Sequence, residues 1–294
     1  MTEDIQKFIL YMDTEKHTSE NTEVSYKRDL KNMEQFLNGQ GINQIEKVTA
    51  TSLNSYVLYL EKIGRKPSTI SRSIASMKAF FHYLAKKGKI TVDPSENLKA
   101  PKIEKKLPEI LTIEETERLL EQPSGTSPKE LRDKAMLELL YATGIRVSEL
   151  IHLKMKDLNI DMEFLVCKDA NKERVVPFGT MAKKSLVAYL EKGRPNIVED
   201  DMCDLLFTNC SGQEMSRQGF WKLIKHYGKM AGIEKDLTPH TLRHSFAAHM
   251  VGNGADLKSV QEMLGHSDIA TTQIYMQVNK GKMREVYQNT HPRR

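Results

Sequence analysis

Apolar residues recur along this chain mostly at intervals of three and four, the spacing of one helix face. Ile5, Phe8, Ile9 and Met12 form such a stripe over residues 2–15. Thr18-Ser19-Glu20-Asn21-Thr22 then interrupts it with residues that cap helices. A second stripe over 22–38 puts Val24, Leu30, Met33, Phe36 and Leu37 inward, and Gly39 and Gly41 end it. Thr51 is placed to cap a third helix with Leu53, Tyr56, Val57 and Leu60 inward, stopped by Gly64. Pro67-Ser68 opens a fourth, with Ile70, Ile74, Met77, Phe80, Phe81 and Leu84 on one face and Gly88 closing it. Four stripes of this kind predict a small helical bundle over residues 1–90.

The period is lost over 91–107, a proline- and lysine-rich stretch that reads as an extended basic linker. A second domain is expected from 108 to 294. Its first helix is announced by Thr112 at the N-cap and Glu115 at the capping-box position. The pattern predicts helices over 131–142, with Gly144 as the left-handed stop, and over 147–153. Phe164–Lys168 and Glu173–Phe178 read as two strands of a hairpin turned by Asp169-Ala170-Asn171-Lys172. Leu205-Leu206-Phe207 reads as a third short strand or an extended loop. Further helices are expected at about 181–192, 216–231, 239–252, 256–264 and 268–278. The fold class is therefore mainly α, in two domains, with a small β-hairpin or sheet in the second.

A chain of 294 residues is long enough for two cores. It has no run of about 18 apolar residues, so no membrane span is expected, and MTEDIQKFIL does not read as a secretory signal. Cys167, Cys203 and Cys210 lack paired spacing, which points to a reducing cytoplasmic setting without disulfides or a zinc site. The net charge of +5 is carried by residues 1–106, with 18 basic against 13 acidic side chains; the remainder is neutral, with 26 of each. A basic first domain suits an acidic polymer. In it, Lys66, Ser68, Thr69, Arg72 and Lys78 share the polar face of the fourth helix, and Thr22, Ser25, Tyr26 and Arg28 that of the second. Short hydroxyls mixed with long cations suit phosphate contacts.

Candidate chemistry lies in the second domain. Arg146 stands in ATGIRVSEL, His240 and Arg243 in TPHTLRHSFAAHM, and His266 and Tyr275 in LGHSDIATTQIY. A phosphodiester gains charge on its non-bridging oxygens as a nucleophile enters, and guanidinium groups stabilise that charge with directional bonds. His240 and Arg243, three apart on a helix, share one face. Each residue alone is more often structural. In this order and wording they resemble the tyrosine recombinases, the phage integrase family, and come nearest its XerC/XerD branch.

The resemblance spans nearly the whole chain. It implies that 1–90 is a SAM-like core-DNA-binding bundle and that 108–294 is the catalytic domain. It implies an enzyme that needs neither metal nor other cofactor, in which Tyr275 attacks DNA and forms a 3′-phosphotyrosyl bond. Strand exchange then passes through a Holliday junction. Arg146, His240, Arg243 and His266 would stabilise the transition state, with His240 also placed to take the tyrosine proton. The implied partners are double-stranded DNA with an inverted-repeat core site and copies of itself or a sister recombinase in a tetrameric synapse. A septal DNA translocase is a further implied partner, chromosome-dimer resolution the implied role, and about 279–294 a tail that docks on a neighbour. An integrase or transposase of a mobile element, or a catalytically weakened DNA-binding accessory protein, are the alternatives.

One position departs from the family pattern. Where the hairpin of such enzymes carries a lysine that protonates the leaving oxygen, the ungapped match on Asn171-Lys172-Glu173-Arg174 puts Asp169. Lys168 lies one residue early and Lys172 three late; Lys168 is favoured and Lys172 is its rival.

Overall fold

The computed structural model describes residues 1–102, 108–169, 172–199 and 203–265, without the side chains of Asp169 and Lys172. Contacts divide the chain into two compact units, Met1–Lys105 and Lys106–Arg294.

The first unit is built from α1 (Thr2–Thr14), α2 (Glu20–Gly39), α3 (Ala50–Lys62) and α4 (Pro67–Lys86). Ser19 caps α2 by accepting the Thr22 amide. Thr49, rather than Thr51, caps α3 in a reciprocal box with Ser52, so the helix starts two residues earlier than a Thr51 cap implies. Phe8, Leu30, Met33, Leu37, Tyr56 and Phe80 are buried at its centre. Val24 is not: it is 60% exposed. Tyr26 packs on the core from the same stretch of α2 while Val24 lies on its outer face, so a single apolar residue there misled the periodicity. Of the stretch expected to be an extended linker, the described part packs on the bundle. Leu98 is buried in the bundle core and Ser95 is held by Asp93 through both its amide and its hydroxyl. Leu98, the buried Ser95 and the bond from Lys78 to the Glu96 carbonyl hold this segment on the bundle.

The second unit contains α5 (Ile113–Glu121), α6 (Pro128–Thr143), α7 (Val147–His152), β1 (Leu158–Asn159), β2 (Phe164–Asp169), β3 (Lys172–Pro177), α8 (Thr180–Ala188), α9 (Arg217–Met230), α10 (Pro239–Gly252) and α11 (Leu257–Leu264). The Thr112–Glu115 capping box forms as expected. α6 is buried nearly all round and acts as the axis of the core. Its buried Arg132–Asp133 pair is satisfied by the Thr208 carbonyl and the Tyr227 hydroxyl, tying α6 to α9 and to the preceding loop. The antiparallel sheet runs β1-β2-β3, with Cys167 opposite Arg174 and Lys168 opposite Glu173. Its third strand is β1; Leu205 makes only an isolated bridge to Lys154, while Leu206 and Phe207 are buried in the core. The helix expected to about 192 gives way after Ala188 to a π-helical turn over Tyr189–Gly193. There Tyr189 stacks on Phe207 and donates to the Leu206 carbonyl.

Candidate active site

Three elements bring the two sequence-predicted arginines together, and one of them also carries His240. α6 ends at Gly144 in the left-handed conformation, φ 61°. Two residues on, Arg146 is the N-cap of α7; its amide donates to Glu149 Oε2 at 2.6 Å and its Nη1 to Oε1 at 3.2 Å. An arginine has no short acceptor of its own, so Glu149 serves as the capping carboxylate for this helix. α10, opened by Pro239 behind Thr238, carries His240 and Arg243 one turn apart.

Arg243 is buried, with 5% of its surface exposed. Its Nη1 donates to the Gly144 carbonyl and its Nη2 to that of Leu264, both at 2.6 Å. Arg146 Nη2 donates to the next carbonyl, Gly265, at 2.8 Å. The two guanidinium groups therefore converge on adjacent backbone oxygens at the end of α11. A helix C-terminus leaves its last carbonyls without intrahelical partners and carries partial negative charge, so it holds guanidinium groups well.

Burial raises the Glu149 carboxyl, but the bonds and charges of Arg174 and Arg146 outweigh it and hold it below the usual carboxylate range. Desolvation and the neighbouring Arg243 lower the His240 imidazole from its ordinary value, so the ring is neutral at physiological pH and able to accept a proton. Cys167 lies beneath the site; burial, reinforced by Glu149, pushes its thiol up to about 12, which makes it packing rather than a nucleophile.

Arg146, Glu149, Asp157, Cys167 and Lys168 line one cleft of about 560 Å³. Lys168 Nζ is 3.2 Å from Asp157 and 3.7 Å from Glu173, with the side chain half exposed. The side chain of Lys172 lies outside the described residues, as do His266 and Tyr275. His266 directly follows Gly265, whose carbonyl Arg146 holds. Among the described residues no cluster of histidine, cysteine and carboxylate is arranged to hold a metal, and no helix is long and apolar enough to cross a membrane.

Glu149 and Arg174 were not singled out from the sequence, although both stand inside the motif strings. The signal was present for Glu149: a glutamate three residues after a helix-opening position is the capping-box spacing. For Arg174 there was none, because its partners come from α7 and α11.

In the first unit, Lys66, Ser68 and Arg28 are exposed and Ser25 and Tyr26 half-buried. Thr22 shares a hydrogen bond with the Ser19 hydroxyl at the α2 cap. Arg72 grips buried Asp29 through two bonds of 2.8 and 2.9 Å, and Lys78 donates to the Glu96 carbonyl. Arg28, Thr69 and Arg72 line one hollow of about 280 Å³ with Arg65.

Comparison with known proteins follows the same division. Residues 109–282 match the phage integrase family and residues 5–88 the phage integrase N-terminal SAM-like domain. The chain is 45% identical to the tyrosine recombinase XerD of Halalkalibacterium halodurans over 98% of its length and 97% of that protein. It is 43% identical to the XerD of Listeria innocua over the full length of both. Among solved structures it is similar to the XerA recombinase, with TM-score 0.57 and 29% identity over 99% of each chain. The fold also matches a XerH recombinase bound to palindromic difH, with TM-score 0.74 and 23% identity over 90% of this chain and 78% of that one. The chain therefore belongs to the phage integrase family, as a tyrosine recombinase of the Xer type.

Proposed function

We propose that the protein performs site-specific recombination on double-stranded DNA, with Tyr275 as nucleophile. The Tyr275 oxygen bonds to the scissile phosphorus, the bond to the 5′-oxygen breaks, and a 3′-phosphotyrosyl link holds the DNA end. His240 takes the tyrosine proton. Arg146 and Arg243 receive the two non-bridging oxygens as charge builds on them, the term worth most in such a step. Lys168 supplies the proton to the departing 5′-oxygen. Attack by a partner strand's 5′-hydroxyl reverses the chemistry, so the bond energy is conserved and no nucleotide or metal is consumed.

The observation that carries this reading is the convergence of Arg146 and Arg243 on adjacent carbonyls, Gly265 and Leu264, in a chain related over its full length to XerD proteins. For Lys168 the support is its place in the same cleft as Arg146. The domain reading is core-DNA binding by 1–90 and catalysis by 108–294, joined by 91–107. Its full extension is a tetramer of this chain, or of this chain and a sister recombinase, on an inverted-repeat core site, resolving chromosome dimers in the cytoplasm.

A nicked duplex bearing the core site tests the reading. The wild type accumulates a covalent protein–DNA adduct and Tyr275→Phe does not; tight binding with no adduct in the wild type overturns catalysis in favour of an accessory role. With a 5′-thiol leaving group, which needs no acid, Lys168→Ala regains wild-type cleavage. Loss of activity on both substrates excludes Lys168 as the acid.

A further inference from the structure

We infer that Arg174 is a positioning residue for the two phosphate-binding arginines, acting through Glu149 and through the C-terminal end of α11. The inference rests on the recombinase reading above. Three successive carbonyls, those of Met263, Leu264 and Gly265, each accept from a different arginine. Arg174 Nε reaches Met263 at 2.9 Å, Arg243 Nη2 reaches Leu264 at 2.6 Å and Arg146 Nη2 reaches Gly265 at 2.8 Å. These arginines come from β3, α10 and the start of α7. The end of one short helix thus sets the relative positions of three side chains that are remote in sequence.

Arg174 closes the arrangement. Its two terminal nitrogens bond the two oxygens of Glu149 at 2.7 and 2.9 Å, the fork-to-fork geometry that fixes direction as well as charge. Glu149 in turn holds both the amide and the Nη1 of Arg146. The ring runs Arg174, Glu149, Arg146, Gly265, Met263 and back to Arg174. Gly265 admits it: a Cβ there would stand 2.8 Å from Arg174 Nη1, so the guanidinium packs against bare backbone. Arg174 does not line the cleft that holds Arg146 and Lys168, and its side chain is only 15% exposed. With Nε bonded to Met263 and both terminal nitrogens to Glu149, the route inferred for it runs through Glu149 and Arg146. A lysine at 174 keeps the charge but, with one nitrogen, cannot bond Glu149 at two points and Met263 at a third.

The test measures adduct formation at saturating nicked DNA for Arg174→Lys and Arg174→Met, each in the wild-type and the Arg146→Lys background. The expected result is a rate at least about tenfold lower, with DNA affinity within about threefold of wild type. On Arg146→Lys the same changes lower the rate by less than about twofold, because residues that act through one another are not additive. The inference is overturned by unchanged rates, by an equal fold loss in both backgrounds, or by a loss confined to DNA affinity. If neither variant keeps the wild-type circular dichroism and unfolding transition, Arg174 is scaffold alone and the inference falls. A wild type that forms no adduct overturns the recombinase reading, and this inference with it. A wild type that cleaves beside Arg174 variants that cleave equally fast overturns this inference only.

Discussion

Arg243 donates to the carbonyl of Gly144 at 2.6 Å, so the helix bearing His240 and Arg243 is bonded to the turn from which Arg146 projects. The bond joins the two ends of the candidate phosphate clamp through a backbone oxygen that cannot change rotamer. Arg243→Lys keeps the charge but cannot span from Gly144 to Leu264. Adduct formation on the nicked duplex is expected to fall by about 10²-fold or more, the scale of losing one aligned donor, with DNA affinity nearly unchanged. Equal cleavage by the lysine variant would show that charge alone suffices.

Gly144 is restricted twice over. Its φ of 61° disfavours any side chain, and a Cβ would run into the Phe246 ring. Gly144→Ala is expected to cost about 2–4 kcal/mol, from strain plus overpacking. Gly232 has φ 65° but open space around its Cβ position, so Gly232→Ala is expected to cost only about 1 kcal/mol. Urea unfolding of the two variants side by side checks the ordering, and equal costs refute it.

Arg72 is committed to Asp29, whose side chain is 5% exposed while its own is 37% exposed. Arg72→Ala leaves a buried carboxylate without its partner and is expected to lower stability by about 1–2 kcal/mol, the exposed guanidinium limiting the loss. Lys66, exposed at the start of α4, is expected to act on DNA alone: Lys66→Ala lowers the slope of log affinity against log salt by about one and leaves the urea midpoint in place. Affinity measured over a salt series, with unfolding in parallel, separates the two. A stability loss in Lys66→Ala, or none in Arg72→Ala, reverses the assignment.

His244 follows His240 by one turn, with ring centroids 6.2 Å apart. Burial, then His240 and Arg243, push its pKa down to about 4, below the roughly 6.5 of an unfolded chain. Between those values the unfolded chain binds more protons, so the contribution is fully present above about pH 6.5 and is lost as the pH falls toward 4. The melting temperature is expected to decline through that window, and more shallowly in His244→Gln. Parallel declines in the two proteins would place the linkage elsewhere. Glu149, whose folded pKa is held below the usual range, loses its contribution only at lower pH.

The sequence by itself determined what local interactions decide. Thr112 and Glu115 form their box because both partners lie within one turn. Gly144 stops α6 because only the left-handed conformation closes that helix end, and the β2–β3 hairpin lies where alternation and a polar turn put it. Arg146, His240 and Arg243 were legible as candidates, because each sits in a motif whose order and wording exceed chance.

Tertiary structure decided what those residues touch. Arg146 and Gly265 are 119 positions apart, Arg243 and Gly144 are 99 apart, and Arg174 and Met263 are 89 apart. No periodicity carries information over such distances. Glu149 and Arg174 were invisible as a pair because a bidentate ion pair leaves no spacing rule in sequence, and the polar face that offers Arg72 to DNA does not reveal its bond to Asp29 on another helix. Helix caps and turns are paid for within a few residues; the guanidinium clamp exists only once the carbonyl end of α11 has been brought to it by packing.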